Sequence, residues 1–166
     1  RSSAASDVYK RQAPAITPGS LFTGRFEFQV VTNPKEQLKL TKFGISYTKK
    51  PLYFKGAFKY KAGDNFVDGS DKNDVKENTG DKDQCGIYAL LYEATNEKEE
   101  EVILDGNTIT NSEYRVAIAQ IKDGSDTEDK WVEFNEAFTY FEGKVYDSSK
   151  KYKMAIVCSC LLYTSD

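Results

Sequence analysis

Histidine is absent from this 166-residue chain. That absence excludes Ser-His-Asp and Cys-His nucleophile systems, and with them every histidine-liganded metal site. Cysteine is scarce: Cys85, Cys158 and Cys160, with no CxxC pair, so a thiolate zinc centre is not expected. Beyond the first eleven residues arginine occurs only as Arg25 and Arg115, which weakens any phosphate-clamp chemistry. No apolar run has the length of a membrane-crossing helix. The net charge of −3 leaves no basic surface of the kind that binds nucleic acid. What the chain does hold is aromatic: 11 Tyr and 10 Phe, residues that pack well on pleated sheets.

The two ends are related at the level of DNA. Asp7-Val8-Tyr9-Lys10-Arg11-Gln12 can be encoded GAT GTG TAT AAG AGA CAG. The reverse complement, read one base later, gives Cys-Leu-Leu-Tyr-Thr, and the chain ends Cys160-Leu161-Leu162-Tyr163-Thr164-Ser165-Asp166. A TCA codon for Ser6 extends the match through Asp166. The pattern resembles a transposon-type sequencing adaptor joined to both ends of a metagenomic fragment. Residues 1–12 and 160–166 are therefore read as non-native tails. Residues 13–159 are read as one domain cut at both ends, long enough to bury a core.

Period-two alternation runs through that stretch. Leu21–Val31 sets Phe26, Phe28 and Val30 against Arg25, Glu27 and Gln29, a strand with one buried face. Asn33–Glu36 reads as a turn. Leu38–Tyr47 reads as a strand with an irregularity near Gly44. Pro51–Lys61 places Leu52, Phe54, Phe58 and Tyr60 on one face, and Gly56 among them signals a bulge or a close backbone approach. Ala62–Gln84, rich in Asp, Asn, Gly and Lys, reads as a long exposed loop. Cys85–Ala94 is apolar on both faces, as a central strand is, with a short helix as the alternative. Asp105-Gly106-Asn107 signals a tight turn. Arg115–Ile121, Trp131–Tyr140 and Tyr152–Cys158 complete about eight strands. Cys85 and Cys158 fall in apolar runs and are expected as buried thiols; a disulfide would need adjacent strands at the right spacing. The expected architecture is an all-β antiparallel sandwich.

Several segments resemble one known family. LFTGRF (21–26), KKPLYFKGAFKYKAG (49–63), CGIYALLYEA (85–94), WVEFNEAF (131–138) and YKMAIV (152–157) together resemble the putative carbohydrate metabolism domain family of Bacteroidota. The resemblance implies a jelly-roll β-sandwich similar to carbohydrate-binding modules, carried by secreted or lipoprotein-anchored cell-surface proteins. Two departures stand out. The family tends to have Asp where this chain has Gly86, and its closing C-terminal strand is replaced here by the adaptor-like tail, which would leave a sheet edge unpaired.

Sugar binding needs flat aromatic faces for pyranose C–H surfaces and polar groups for hydroxyls. Tyr53, Tyr88, Tyr92 and Trp131 are the candidate platform, with Lys55, Lys59, Glu93 and Asn135 as polar neighbours; Trp131 stands first, because its face also carries Glu133 and Asn135. The competing reading of each ring is a core or sheet residue with a wet hydroxyl. Hydrolysis would need two carboxylates across a cleft, for which Glu93 and Glu133 are candidates. Asp64–Asp71 offers hard oxygen ligands to calcium, but the EF-hand spacing is missing and Lys72, Lys76 and Lys82 interleave, so a solvated loop and no cofactor are expected. The function expected is a non-catalytic carbohydrate-binding or cell-surface module whose partner is a polysaccharide or glycan. The alternatives are a structural or adhesin-type scaffold and, third, a glycoside hydrolase. The expected location is extracellular or at the cell surface, with membrane contact only through a lipid anchor outside this stretch.

Overall fold

The structure, a computed structural model, describes residues 20–30, 33–63, 67–68, 76–77 and 82–159. These residues are mostly β, with one short helix. In chain order they form β1 (Ser20–Phe22), β2 (Gly24–Phe26), helix α1 (Pro34–Leu38), β3 (Thr41–Phe43), β4 (Ile45–Tyr47) and β5 (Tyr53–Phe58). There follow β6 (Val67–Asp68), β7 (Lys76–Glu77), β8 (Gly86–Glu93), β9 (Arg115–Gln120), β10 (Val132–Ala137), β11 (Thr139–Tyr140) and β12 (Tyr152–Ser159). All pairings are antiparallel. One six-stranded sheet runs β1–β12–β8–β9–β11, with β4 sharing the β1 edge of β12. β5 pairs only with β10, β2 with β3, and β6 with β7.

β8 is central because its sequence suits no other place. Gly86–Tyr92 carries no charge, so neither face has a reason to meet water. Alternation sends Tyr88, Leu90 and Tyr92 to one face, where they join Val102, Leu104, Ile109 and Val157. Ala89 and Leu91 face the other way, onto Ala117, Tyr152 and Met154. Ile87 continues that second face toward Cys85 and Ile121. Each fully buried Leu or Val contributes roughly 1.5–3 kcal/mol relative to exposure. Tyr92 is 0% exposed, and its hydroxyl donates to the Phe43 carbonyl at 2.6 Å. Burial pushes its pKa up to about 12.

Two long strands change sheets midway. Thr23 sits between β1 and β2 and stitches the edge of β12: its amide donates to Ile156 O at 2.9 Å, and its hydroxyl donates to Met154 O and accepts from Ile156 N. Gly24, at φ +148°, then turns the chain onto β3; a Cβ there would collide with the Lys42 carbonyl oxygen. Gly44, at φ +93°, breaks β3 from β4, and a Cβ would lie 2.6 Å from the Tyr92 hydroxyl. This is the irregularity the sequence signals.

The same switch overturns one expectation. Phe26, Phe28 and Val30 are not a buried face: Phe28 is 86% exposed. After Gly24 the strand leaves the six-stranded sheet and follows β3 only as far as Glu27, whose amide donates to Leu40 O. Past that point the described residues offer no opposing layer. Leu52, expected with Phe54 and Phe58, is also exposed; it lies at the end of the ribbon, where its carbonyl accepts from the Phe138 amide at 3.0 Å. Asn33–Glu36 is not a simple turn but the start of α1; the Asn33 carbonyl accepts from the Glu36 and Gln37 amides. Within the expected loop 62–84 the described residues form the β6–β7 pair.

Cys85 is buried, Cys158 is half-buried, and no disulfide joins them. Burial raises the Cys158 pKa, so its nucleophilic thiolate form is suppressed. Alkylation at pH 8 is expected to label Cys158 several-fold more slowly in the folded chain than in denaturant, as peptide mapping would show.

Tyr140 has the one side-chain polar atom among the described residues that is buried without a hydrogen-bond partner. Its ring packs in the same cluster as Tyr146 and Tyr152, which stack at 5.0 Å. An unsatisfied buried hydroxyl is destabilising, so Tyr140→Phe is expected to gain about 1 kcal/mol. That raises Tm by roughly 2–4 °C in a thermal melt. Tyr92→Phe should do the opposite, since it strips the Phe43 carbonyl of its donor and costs about 1–3 kcal/mol.

Candidate functional site

The site is built from the outer face of the β5–β10 ribbon. The two strands pair over six residues, from Phe58↔Val132 to Tyr53↔Ala137. Phe54, Phe58 and Phe134 form the inner face, with ring centroids 5.0 and 6.3 Å apart. They pack on Cys85, Ile87 and Ile121 at one end of the six-stranded sheet. Gly56 lies opposite Phe134, and a Cβ there would approach the ring to 2.7 Å. Glycine lets the ring cross the strand, which is the close approach the sequence signals.

Anchoring that inner face forces the alternate side chains outward. Tyr53, Lys55 and Ala57 on β5, and Glu133, Asn135 and Ala137 on β10, are all exposed. Lys55 and Asn135 are direct partners in the register. Trp131 continues the outward set one step before β10 and is 71% exposed; Tyr53, at the other end, is 58% exposed. Six residues of strand put the two rings about 20 Å apart along the ribbon. Lys55 Nζ lies 5.5 Å from the centroid of Tyr53. Glu133 and Asn135 have no side-chain hydrogen bond or ion pair among the described residues.

The loop before Trp131 is held to the end of β5. Thr127 is buried; its hydroxyl accepts from the Tyr60 amide at 3.0 Å, and its own amide donates to Tyr60 O at 2.9 Å. Asp126 accepts from the Ala62 amide at 3.0 Å and the Glu128 amide at 2.8 Å, and these bonds hold its carboxyl below the usual range. Glu128 and Asp129 take left-handed conformations at φ 51° and 65°. Asp129 then reaches Lys59 Nζ at 2.7 Å. Trp131 therefore stands on a fixed loop, which lowers the entropy lost when a ligand orders it.

The remaining candidates lie elsewhere. Tyr88 is half-buried, with its pKa pushed by burial to about 12, and Tyr92 is in the core, where no sugar reaches it. Glu93 belongs to the six-stranded sheet and accepts from Lys150 Nζ at 2.9 Å. Of the eight residues named as platform or polar neighbours, Tyr53, Lys55, Lys59, Asn135 and Trp131 share one face, and Glu133 belongs with them. The clamp by Asp126 and Thr127 was not anticipated. The Asp126-Thr127-Glu128-Asp129 run ahead of Trp131 holds no motif that marks it.

Two clefts flank the ribbon. An apolar cleft of about 600 Å³ is bordered by Trp131, Phe134, Leu21, Ile87 and Cys158, and none of the described residues that line it is Asp or Glu. A polar one of about 460 Å³ is bordered by Lys61, Lys82, Ser125, Asp126, Glu128 and Asp129. Among the described residues no three His, Cys, Asp or Glu side chains gather to hold a metal ion. The calcium candidate Asp64–Asp71 falls outside the described residues apart from the Val67–Asp68 backbone.

Residues 2–164 match the family described as Putative carbohydrate metabolism domain. Two solved structures are similar, both described as putative glycoside hydrolases. The one from Bacteroides thetaiotaomicron VPI-5482 has a TM-score of 0.70 and 39% identity over 86% of this chain and 40% of that one. The one from Bacteroides vulgatus ATCC 8482 has a TM-score of 0.64 and 32% identity over 86% of this chain and 54% of that one. The chain thus spans about half, or less, of each of these relatives. No curated protein matches it.

Proposed function

The chain belongs to the Putative carbohydrate metabolism domain family, and from that premise we propose that it is a non-catalytic module that binds glycan on the outer face of the β5–β10 ribbon. The observation that carries this is the exposure of Trp131 and Tyr53 on one outward face, with Lys55, Glu133 and Asn135 between them. Both rings are more exposed than buried among the described residues, and flat apolar faces beside hydrogen-bonding groups suit a pyranose. We also read the packing of the ribbon on the six-stranded sheet as a jelly-roll sandwich. A polysaccharide too large to enter a cell is met outside it, so the parent protein is placed in the extracellular space or on the cell surface.

The description of both solved relatives as putative glycoside hydrolases favours a second reading, catalysis. A hydrolase needs a carboxylic acid held protonated by its surroundings, facing a second carboxylate. Here the apolar cleft is lined by no carboxylate among the described residues, and Asp126 in the polar cleft is pushed the wrong way for a general acid. Glu93 is bound to Lys150 on one sheet, while Glu133 lies on the outside of the other. On our reading, any hydrolytic centre of those relatives lies in the part this chain does not span.

A glycan array followed by titration calorimetry tests the proposal. Binding that fails with Trp131→Ala supports it, whereas no binding to any glycan by the folded chain leaves the scaffold reading.

A further inference from the structure

The charge on the segment around β5 is opposite to that of the whole protein. Residues 49–63 carry five lysines, Lys49, Lys50, Lys55, Lys59 and Lys61, and no Asp or Glu, in a chain of net charge −3. All five are exposed. At the Trp131 end this charge is largely neutralised: Lys59 is paired with Asp129, and Lys61 borders the cleft that holds Asp126, Glu128 and Asp129. At the Tyr53 end it is not. Lys49, Lys50 and Lys55 have no carboxylate partner among the described residues. Three ammonium groups without a carboxylate partner among the described residues, so close in sequence, repel one another. The sequence tolerates that cost at the foot of an exposed aromatic ring.

From this we infer that the ligand is a polysaccharide containing uronic acid, lying along the ribbon with its carboxylates toward Lys49, Lys50 and Lys55. The inference rests on the glycan-binding reading above. Lys55 Nζ lies over one face of the Tyr53 ring, 5.5 Å from its centroid, which leaves the opposite face for a sugar whose exocyclic carboxylate extends past the ring edge toward the ammonium group. A stacking face and a cation on opposite sides of one ring are what a uronate offers partners for: one apolar pyranose face and one carboxylate on the same sugar. Glu133 near the middle of the platform sets an upper limit on charge density. It opposes a densely sulfated chain but leaves room for one carboxylate per sugar. The separation of about 20 Å between the aromatic ends calls for a chain of several sugars, not a single one.

Methyl esterification provides the test, because it removes the charge and leaves the sugar chain in place. The full chain is titrated with polygalacturonate, with fully methyl-esterified polygalacturonate, with xylan and with dextran sulfate. Polygalacturonate is expected to bind at least about tenfold more tightly than its ester. The gap should narrow as NaCl rises from about 0.05 to about 0.5 M, because salt screens exposed charge pairs. Lys55→Gln should weaken binding of the acid about fivefold more than that of the ester, because only the acid loses a charge pair. Trp131→Ala should weaken both. Equal affinity for acid and ester, or an inert Lys55→Gln, overturns the inference. Xylan binding that depends on Trp131, with no binding of polygalacturonate, overturns it too but leaves the glycan-binding reading intact. Dextran sulfate binding more tightly than polygalacturonate, and indifferent to Trp131→Ala, would mean non-specific polyelectrolyte adsorption and overturn the uronate assignment. No binding to any of the four removes both.

Discussion

Gly124→Ala is expected to remove a large share of the stability of the domain. A Cβ on Gly124 would fall inside the contact radius of the Cys85 carbonyl oxygen, with the Cys85 carbonyl carbon at 2.8 Å and its amide nitrogen at 3.1 Å. Every one of those atoms is backbone, so no rotamer change relieves the clash. The two residues are also tied together, since the Cys85 amide donates to Gly124 O at 2.8 Å. Moving either one breaks that bond at the entry to β8 and disturbs the cluster of Cys85, Ile87 and Ile121 beneath the ribbon. Overpacking against fixed backbone places the cost at about 3–5 kcal/mol, at the high end for a single substitution. A domain of this size holds only about 5–15 kcal/mol in all. Gly143→Ala is the matched control. Gly143 has φ +71° but nothing within 4 Å of a Cβ, so only the left-handed backbone is penalised, by about 1–2 kcal/mol. Urea denaturation of the two variants should separate them clearly. A Gly124→Ala protein that unfolds at the parent's midpoint would show that the approach of these two segments is not tight.

How much of this was legible beforehand depended on which question was asked. Alternation reports which side chains share a face, and there it succeeded: Phe54 with Phe58, and Glu133 with Asn135. Glycine inside an apolar strand marked Gly56 and Gly44, since both permit an approach that a Cβ forbids. An uninterrupted apolar run marked β8 as central. Alternation does not report whether a given face is covered, and that is where the reading failed. Tyr53 and Tyr92 both sit in aromatic-rich strands, yet one is on the surface and the other is sealed in the core. The difference lies in what packs over each strand, and that is long-range. The sheet changes at Thr23 and at Phe138, where β10 pairs with β5 and the next strand, β11, with β9, were invisible for the same reason. Phe26, Phe28 and Val30 looked like core only because their pattern was judged without its partner.

Trp131→Ala separates function from folding more sharply than any other change, and its expected effect on binding is the largest on the ribbon. The ring is 71% exposed, so truncation removes little buried area and should move Tm by less than about 2 °C. Its position is set from below by Thr127 and Asp126, whose bonds to Tyr60 and Ala62 involve no atom of the indole. The variant therefore keeps the loop and loses only the stacking face. A centrally used Trp at a recognition surface contributes 2 kcal/mol or more on truncation, which corresponds to about a thirtyfold loss of affinity. Tyr53→Ala should produce a smaller loss, since a phenol offers less face than an indole. The two losses should add, because rings about 20 Å apart share no contacts. Additivity would depend on ligand length. A chain long enough to touch both rings should register both substitutions, whereas a disaccharide should register only one. A Trp131→Ala protein that binds as the parent does, while retaining its melting temperature, would move the glycan site off this ribbon altogether.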